Sequence, residues 1–309
     1  MNGSRVRVGL VGCGRLAEAG YLPAFAACGD AELVAVADPD PVRREIVAGA
    51  LPAFSSLEEL IVEASPEALL VASPPAMHEQ GARAAAEAGI PALLEKPPAP
   101  DLAGAARIAE LEPAPWVGFN RRFSLGSELR GAMPRGGRLE LELRYRRFSW
   151  AAVTVRDPAL IDLAPHLVDL ALFAGLGEPA LVSARSRRAD HVDLRLESEA
   201  GEATIGCACD RPHRERATAR GPDGEVVAEA KIGGLVRGAR ERLGPGPHPL
   251  VASLEAQLHE FARAARTGGA PTLATAADGV SAMRVIAAAA ASLARGGAPV
   301  SSDQTEVGA

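Results

Sequence analysis

The sequence predicts an α/β protein with two domains: an N-terminal doubly wound parallel sheet, and a C-terminal α+β domain with a mostly antiparallel open sheet. Its 309 residues suffice for two separate cores. Up to Asn120, short β-rich runs alternate with helical patterns, as in a parallel sheet covered by helices. Beyond Asn120, strand-like runs follow one another through turns. We therefore expect one domain over residues 1–120 and another over 121–309, with late helices within 250–295 able to pack back on the first.

The elements of the first domain follow from apolar runs and the residues that end them. Pro39 and Pro41 stop the second strand, and Pro41 suits the first turn of a helix that begins there. The predicted strands are Val6–Val11, Glu32–Ala37, Ala68–Ala72, Ile90–Leu94 and Trp116–Phe119. The other predicted helices are Arg15–Cys28, Leu57–Ala64, Ala76–Ala88 and Leu102–Leu111.

In the second domain, alternating side-chain character predicts strands, and Gly175 and Gly177 end a helix. The segment Leu235–Pro249, rich in Gly, Pro and Arg, is expected to be a mobile loop, and Ser301–Ala309 a frayed tail. The predicted strands are Arg138–Phe148, Ala180–Arg187, Val192–Glu197, Ala203–Cys209, Arg214–Arg220 and Glu225–Ile232. The predicted helices are Asp162–Phe173, Leu254–Arg266 and Ala276–Arg295.

Composition and charge exclude several classes of function. A net charge of −6 argues against nucleic-acid binding, which needs a basic excess. The apolar stretch Val285–Ala294 is too short to cross a bilayer, and no signal segment precedes the first strand. The four cysteines lack zinc spacing and are expected to be reduced thiols. We therefore predict a cytoplasmic protein that binds no nucleic acid, membrane or metal.

A glycine-rich turn, Gly12-Cys13-Gly14-Arg15-Leu16-Ala17, lies between the first strand and the first helix. Gly12 permits the tight turn, Gly14 lets a pyrophosphate approach the backbone, and Ala17 allows close packing of helix on sheet. The helix N-terminus after Arg15 and Leu16 then faces the phosphates. The pattern therefore predicts a dinucleotide-binding Rossmann domain.

An acidic residue decides between the two nicotinamide dinucleotides. Asp38 ends the second strand, about 20 residues beyond the turn, where a carboxylate grips a ribose 2′-hydroxyl. Because a carboxylate repels a 2′-phosphate, Asp38 favours NAD. Arg43 and Arg44 follow closely and could receive that phosphate instead, so NADP stays possible.

Lys96 is one of only two lysines among the 33 Lys and Arg residues of the chain. Lysine, unlike arginine, can release its proton when it is partly desolvated. The tripeptide Glu95-Lys96-Pro97 also ends a predicted strand, at the carboxyl edge where open α/β sheets bind ligands. Lys96 is therefore a candidate for catalysis, and a structural Glu95–Lys96 pair is the alternative.

The ordered set of motifs resembles the Gfo/Idh/MocA family, the relatives of glucose–fructose oxidoreductase and inositol dehydrogenase. The late segment from Phe261 to Pro271 extends the match to the C-terminal helices. The matching segments are Gly9–Gly14, Ser73-Pro74-Pro75 with His78, Glu95-Lys96-Pro97, Gly118-Phe119-Asn120-Arg121-Arg122-Phe123, and Asp162-x-x-x-His166 with Asp169.

The resemblance implies a catalytic set of Lys96, Asp162 and His166. Lys96 would lie beside the nicotinamide and the substrate, and the Lys96–Pro97 peptide bond could be cis. His166 would exchange the hydroxyl proton, and Asp162 would position the hydroxyl; four residues apart, the two share one helix face. Alternatively, Asp162 could be the N-cap of this helix, with an unrelated histidine one turn later. Pro165 departs from the family's pattern and could reset the helix entry.

The resemblance also implies residues that line the cofactor. Near the cofactor would lie Glu95 and, after the predicted strand Ala68–Ala72, Ser73, Pro74 and His78. Asn120 and Arg121, at the domain crossover, would also lie near it. His78 could instead cap a helix, and Asn120 and Arg121 could serve packing alone. The strand segment 144–147 could meet an anionic substrate, although such a run is more often a solvated or subunit-facing edge.

These features predict an NAD(P)-dependent oxidoreductase acting on a secondary alcohol or ketone of a sugar, inositol or related polyol. The alternatives are a cofactor-retaining lyase, hydrolase or epimerase that uses transient oxidation, and a non-catalytic NAD-sensing protein. The expected partner is a small, carbohydrate-like substrate. By the resemblance, the open sheet forms the interface of a homodimer or homotetramer.

Overall fold

The computed structural model describes residues 4–146, 157–233 and 248–304. The chain divides into two compact units. Unit 1 comprises Met1–Asn120 and Leu250–Gly279, and unit 2 comprises Arg121–Pro249 and Val280–Ala309. The predicted loop at 235–249 and the end of the strand Arg138–Phe148 lie largely outside the described residues, as does the tail from residue 305.

Unit 1 is built on a seven-stranded sheet of order β13-β6-β5-β4-β1-β2-β3. All neighbours pair in parallel except the edge strand β13, which is antiparallel to β6. The strands β4 and β5 are buried throughout, as apolar runs in a parallel sheet should be. The strands are β1 Val6–Val11, β2 Ala31–Ala37, β3 Ala53–Phe54, β4 Ala68–Val71, β5 Ala92–Glu95, β6 Trp116–Gly118 and β13 Ala274–Thr275.

The helices of unit 1 begin where the sequence supplies caps. Asp40, Ser56 and Asp101 each accept a backbone N–H of the first turn that follows. The predicted helix Arg15–Cys28 contains a π-helical turn, Ala17–Tyr21, before its α-helical part. The helices are α1 Leu22–Ala27, α2 Pro41–Ala48, α3 Leu57–Ala64, α4 His78–Glu87, α5 Leu102–Ala109 and α8 Pro249–Thr267.

Unit 2 is built on a second seven-stranded sheet, of order β12-β11-β7-β10-β9-β8-β14. Only β7 and β10 pair in parallel. One face buries apolar side chains such as Leu139, Leu141 and Leu143, and the opposite face carries charged ones. The strands are β7 Gly137–Arg146, β8 Leu181–Arg188, β9 His191–Ser198, β10 Gly201–Ala208, β11 Asp210–Arg220, β12 Val226–Gly233 and β14 Val300–Ser301. The predicted α/β fold class is thereby confirmed.

The helix predicted over Asp162–Phe173 begins two residues later than expected, and a π-helical turn at Leu172–Leu176 continues it. The helix α6 (Ala159–Asp162) ends at Asp162, and α7 (Ala164–Ala171) begins after Leu163. Pro165 explains the break, because it has no N–H to donate and its ring collides with the carbonyl four residues earlier. Asp162 is therefore the last residue of α6, and Leu163, not Asp162, is the N-cap of α7.

The C-terminal end is more ordered than predicted. Val300 and Ser301 pair with Val182 and Leu181 as strand β14, and a 3₁₀ turn follows at Ser302–Gln304. Buried Ser302 donates its hydroxyl to the carbonyl of Pro179. The expected frayed tail is thus wrong for residues 301–304.

The helix α9 (Ala276–Ala294) has the length and composition of a membrane-spanning helix, unlike every other helix of the described chain. It is longer than the apolar stretch considered from sequence. Half of its most apolar window is buried within the protein, which is typical of a core helix.

Candidate functional site

The glycine-rich turn has the geometry that phosphate binding needs. Gly12 has a φ of +96°, and a Cβ there would lie 2.6 Å from the carbonyl carbon of Ala72 and the nitrogen of Ser73. A Cβ on Gly14, in contrast, would meet no atom within 4 Å in the part of the chain that the structure describes. Gly12 therefore serves the fold itself, and Gly14 leaves open space beside the backbone at a helix entry. Arg15 and Leu16 continue the turn into the π-helical segment, where Ala17 is buried.

The Asp38 carboxylate ties the end of β2 to this turn. Its Oδ2 accepts the backbone N–H of Cys13 at 2.7 Å, and its Oδ1 accepts that of Asp40 at 2.9 Å. Burial, followed by the Asp38 charge, raises the pKa of the Cys13 thiol to about 12. Cys13 is thus a neutral packing residue, and all four cysteines are buried free thiols, as predicted. Arg44 donates to the carbonyl of Asp38, and Arg43 lies 3.6 Å from Asp40.

His78 joins the loops that follow β4 and β5. It is fully buried at the start of α4, with Nδ1 3.0 Å from the carbonyl oxygen of Pro97 and Nε2 2.8 Å from that of Ser73. Burial lowers the pKa of His78, against the opposing effect of these carbonyl groups. His78 therefore shapes both loops, while Pro74 leads into a 3₁₀ turn.

Lys96 follows β5 directly, and a buried network holds the residue before it. Tyr21 donates its hydroxyl to Glu95 Oε1, and Gln257 Nε2 donates to the Tyr21 oxygen at 3.0 Å. Glu95 Oε2 accepts the backbone N–H of Lys96 at 3.1 Å. The Lys96–Pro97 peptide bond is cis. Tyr21 and Gln257 were not predicted from sequence, since they are 236 positions apart.

Replacing Tyr21 with phenylalanine should destabilise the protein by about 3 kcal/mol, because buried polar atoms lose a partner. Burial and the Glu95 charge raise the pKa of Tyr21 well above its usual value, so the phenol stays a donor at neutral pH. Denaturant unfolding of Tyr21→Phe and Tyr145→Phe compares the only two tyrosines of the chain. Tyr145 is only partly buried, so Tyr145→Phe should lose less free energy of unfolding than Tyr21→Phe. Equal losses would contradict this assignment.

The residues of unit 1 fit a bound NAD. Gly14 offers open backbone, Asp38 offers carboxylate oxygens, and the buried hydroxyl of Ser73 has no partner within the described chain. An unsatisfied buried hydroxyl is accounted for when a ligand completes its hydrogen bonds. Asn120 is also buried and donates to Ser253 Oγ at 3.0 Å, which gives it a packing contact.

In unit 2, Asp162 is held by a residue that sequence reasoning missed. Tyr145, on the buried face of β7, donates its hydroxyl to Asp162 Oδ2. His166 lies in α7 with 7% of its surface exposed. Nearby, Arg122 forms a two-pronged ion pair with fully buried Asp169, at 2.9 and 2.6 Å. Tyr145 thus anchors Asp162 to β7, and Arg122 anchors the helix α7 through Asp169.

Arg121 belongs to a second buried polar cluster. Its Nη2 lies 2.9 Å from Glu215 Oε1, which also lies 3.0 Å from His213 Nε2. Arg144 belongs to the strand segment 144–147. Because neighbouring side chains of a strand point to opposite faces, Arg144 lies on the charged face, 3.3 Å from Glu142, and Tyr145 on the other. This placement gives Arg144 an ion pair on the face opposite Tyr145. Within residues 4–146, 157–233 and 248–304, no cluster of three His, Cys, Asp or Glu side chains could hold a metal.

The chain is similar to known oxidoreductases. Residues 6–114 match the Gfo/Idh/MocA family, described as an oxidoreductase family with an NAD-binding Rossmann fold. Over 99% of its length the chain is 30% identical to inositol 2-dehydrogenase 4 of Saccharopolyspora erythraea, of which the alignment covers 97%. The similarity therefore extends through both units.

Solved structures share the fold. The apo scyllo-inositol dehydrogenase of Lactobacillus casei superposes with a TM-score of 0.80 at 16% identity, covering 98% of this chain and 100% of that one. The myo-inositol dehydrogenase of the same organism, in complex with NAD(H) and myo-inositol, gives 0.77 at 19% identity, covering 96% and 97%. At such identities the likeness extends to the fold alone.

Proposed function

Because the chain belongs to the Gfo/Idh/MocA family of NAD-binding oxidoreductases, we propose that it oxidises a secondary hydroxyl of an inositol-like polyol. The observation that carries this proposal is the near full-length similarity to an inositol 2-dehydrogenase, together with Lys96 at the carboxyl end of β5. NAD supplies the hydride acceptor when bound. In this proposal unit 1 binds the dinucleotide and unit 2 the substrate, within a cytoplasmic homodimer or homotetramer.

On the cofactor side, we assign the dinucleotide to the edge of the sheet where β1, β2, β4 and β5 end. The turn residues Gly12, Gly14, Arg15, Leu16 and Ala17 would carry the pyrophosphate. Asp38 would accept a ribose hydroxyl, which favours NAD over NADP. Ser73, Pro74, His78, Glu95, Lys96, Asn120 and Arg121 complete the proposed set.

On the substrate side, we assign His166 as the base that takes the hydroxyl proton, since an imidazole titrates near neutrality. Lys96 would stabilise the developing alkoxide with its ammonium group. Asp162 would orient the hydroxyl, and its bond from Tyr145 fixes the carboxylate for that task. These assignments follow the family pattern and the placement of each residue in its own unit.

The proposal is tested by offering NAD or NADP with a panel of inositols, sugars and other polyols. We expect NADH absorbance to rise with at least one inositol isomer, and NAD to raise the unfolding temperature at saturating concentration. An unfolding temperature that neither dinucleotide changes would contradict the proposal. So would a lack of absorbance change with every polyol in the panel.

A further inference from the structure

Glu215, on β11, has a buried carboxylate oxygen to which no group in the described part of the chain donates. Glu215 is 4% exposed. Both of its close partners lie against the same oxygen, Oε1: Arg121 Nη2 at 2.9 Å and His213 Nε2 at 3.0 Å. Oε2 is also buried, yet it has no hydrogen-bond partner in the described parts of the chain. A buried acceptor without a donor destabilises the protein, so a group that donates to it should bind there.

The charge of the cluster indicates what kind of group this is. Burial raises the pKa of Glu215, but Arg121, His213 and His248 outweigh that effect, so the pKa lies below its usual value. The carboxylate is therefore ionised at neutral pH and can only accept hydrogen bonds. Arg121 already offsets its charge, so a neutral hydroxyl is a better donor than an ammonium group. An anionic ligand would be repelled by Glu215.

Glu215 and Tyr145 lie on the same face of the unit 2 sheet. Glu215 pairs across the strands with Leu143, and Tyr145 follows two positions later on β7, so all three side chains point to one side. Cross-strand neighbours on a diagonal are about 7–8 Å apart, within reach of one small ligand. Because Tyr145 bonds Asp162, the unsatisfied oxygen belongs to the same face as the proposed substrate-orienting carboxylate.

Cys207 provides a second marker of this face. Cys207 lies on β10, also opposite Leu143, and is fully buried. Burial raises the pKa of its thiol, and the charges of Cys209, Asp193 and Asp162 add to that effect. Asp162 thus lies over the end of β7 and β10, and Glu215 over the neighbouring β11. A ligand touching Asp162 needs to extend across only one strand to reach Glu215.

We propose that Glu215 is a specificity-determining residue whose Oε2 accepts a hydrogen bond from a non-reacting hydroxyl of the polyol. This assignment rests on the proposed function and adds a second attachment point on the ring. Two fixed hydroxyls, one at Asp162 and one at Glu215, select among ring stereoisomers. The residue acts on substrate choice and takes no part in proton or hydride transfer.

The test is a cycle that combines a protein change with a substrate change. Wild type and Glu215→Gln are assayed with the preferred inositol and with analogues that each lack one hydroxyl. We expect wild type to lose about tenfold or more in kcat/KM on one analogue that keeps the reacting hydroxyl. Glu215→Gln should show a similar loss on the parent inositol and no further loss on that analogue.

A matched control is Glu140→Gln, on the charged face of β7, where Glu140 pairs with Arg220 at 3.2 Å. It should behave as wild type with every substrate. If Glu215→Gln folds poorly, Glu215→Asp keeps the charge opposite Arg121 and should give the same pattern. A loss equal on parent and analogues, or none at all, would overturn the assignment while the polyol activity stands. A wild type inactive on all polyols would remove the proposed function itself, and this assignment with it.

Discussion

Lys96→Met is expected to lower kcat/KM for polyol oxidation by about a thousandfold, and to weaken NAD binding far less, because the other residues of the cofactor set still hold the dinucleotide. Methionine has similar length and volume but no ammonium group, so it can neither stabilise an alkoxide nor pass a proton. The backbone N–H of residue 96 would still donate to Glu95, which keeps the loop after β5 in place. The measurement is steady-state kinetics, together with NAD titration by intrinsic fluorescence.

The chain supplies a matched control in its only other lysine. Lys231, on β12, lies 2.6 Å from Glu229, and its side chain is half exposed. Lys231→Met removes the same group from the surface and should leave both kcat/KM and NAD affinity unchanged. If Lys96→Met retained wild-type turnover, the assignment of Lys96 to the reaction would be wrong.

The two glycines of the dinucleotide turn should fail in different ways when replaced by alanine. Gly12→Ala should destabilise the protein by about 3 kcal/mol or more, because the residue has a positive φ and its Cβ would collide with the backbone at Ala72 and Ser73. Gly14→Ala should unfold at nearly the wild-type denaturant concentration, since its Cβ would meet no atom of the described residues within 4 Å. It should nevertheless weaken NAD binding by at least about tenfold, because the methyl occupies the phosphate approach.

Denaturant unfolding and NAD titration of both variants separate the two effects. Gly29→Ala is the control, since its Cβ also meets nothing within 4 Å and the residue lies outside the turn. It should match wild type in both measurements. A Gly14→Ala variant with wild-type NAD affinity would show that the pyrophosphate does not pass beside this residue.

Local signals predicted most of the fold. The strand β1 and the helix α3 coincide with their predicted bounds, because an apolar run and a capping serine each mark an end within a few residues. The turn at Gly12 was found for the same reason, as a local pattern of backbone requirements. In contrast, β3, β13 and β14 have two residues each, too few for a periodic signal, and exist only through pairing with distant strands.

The site shows the same division. Lys96, Asp38 and the turn carry local motifs, and their placement at strand ends follows from those motifs. Tyr21, Gln257, Tyr145 and Glu215 carry none, since each gains its role from a partner brought close by the fold. The broken helix at Leu163 is an intermediate case. Pro165 signalled a disturbance in sequence, but only the structure shows that Asp162 ends one helix and that Tyr145 holds it.

The stoichiometry of NADH and ketone during turnover of an inositol tests the central claim most directly. One NADH should accumulate for each ketone formed, with NAD consumed in equal amount, because the protein is proposed to release its reduced cofactor. Conversion of the substrate without net NADH would contradict that account and indicate the cofactor-retaining alternative. Absence of any conversion, with NAD bound, would contradict the proposal that this chain oxidises polyols.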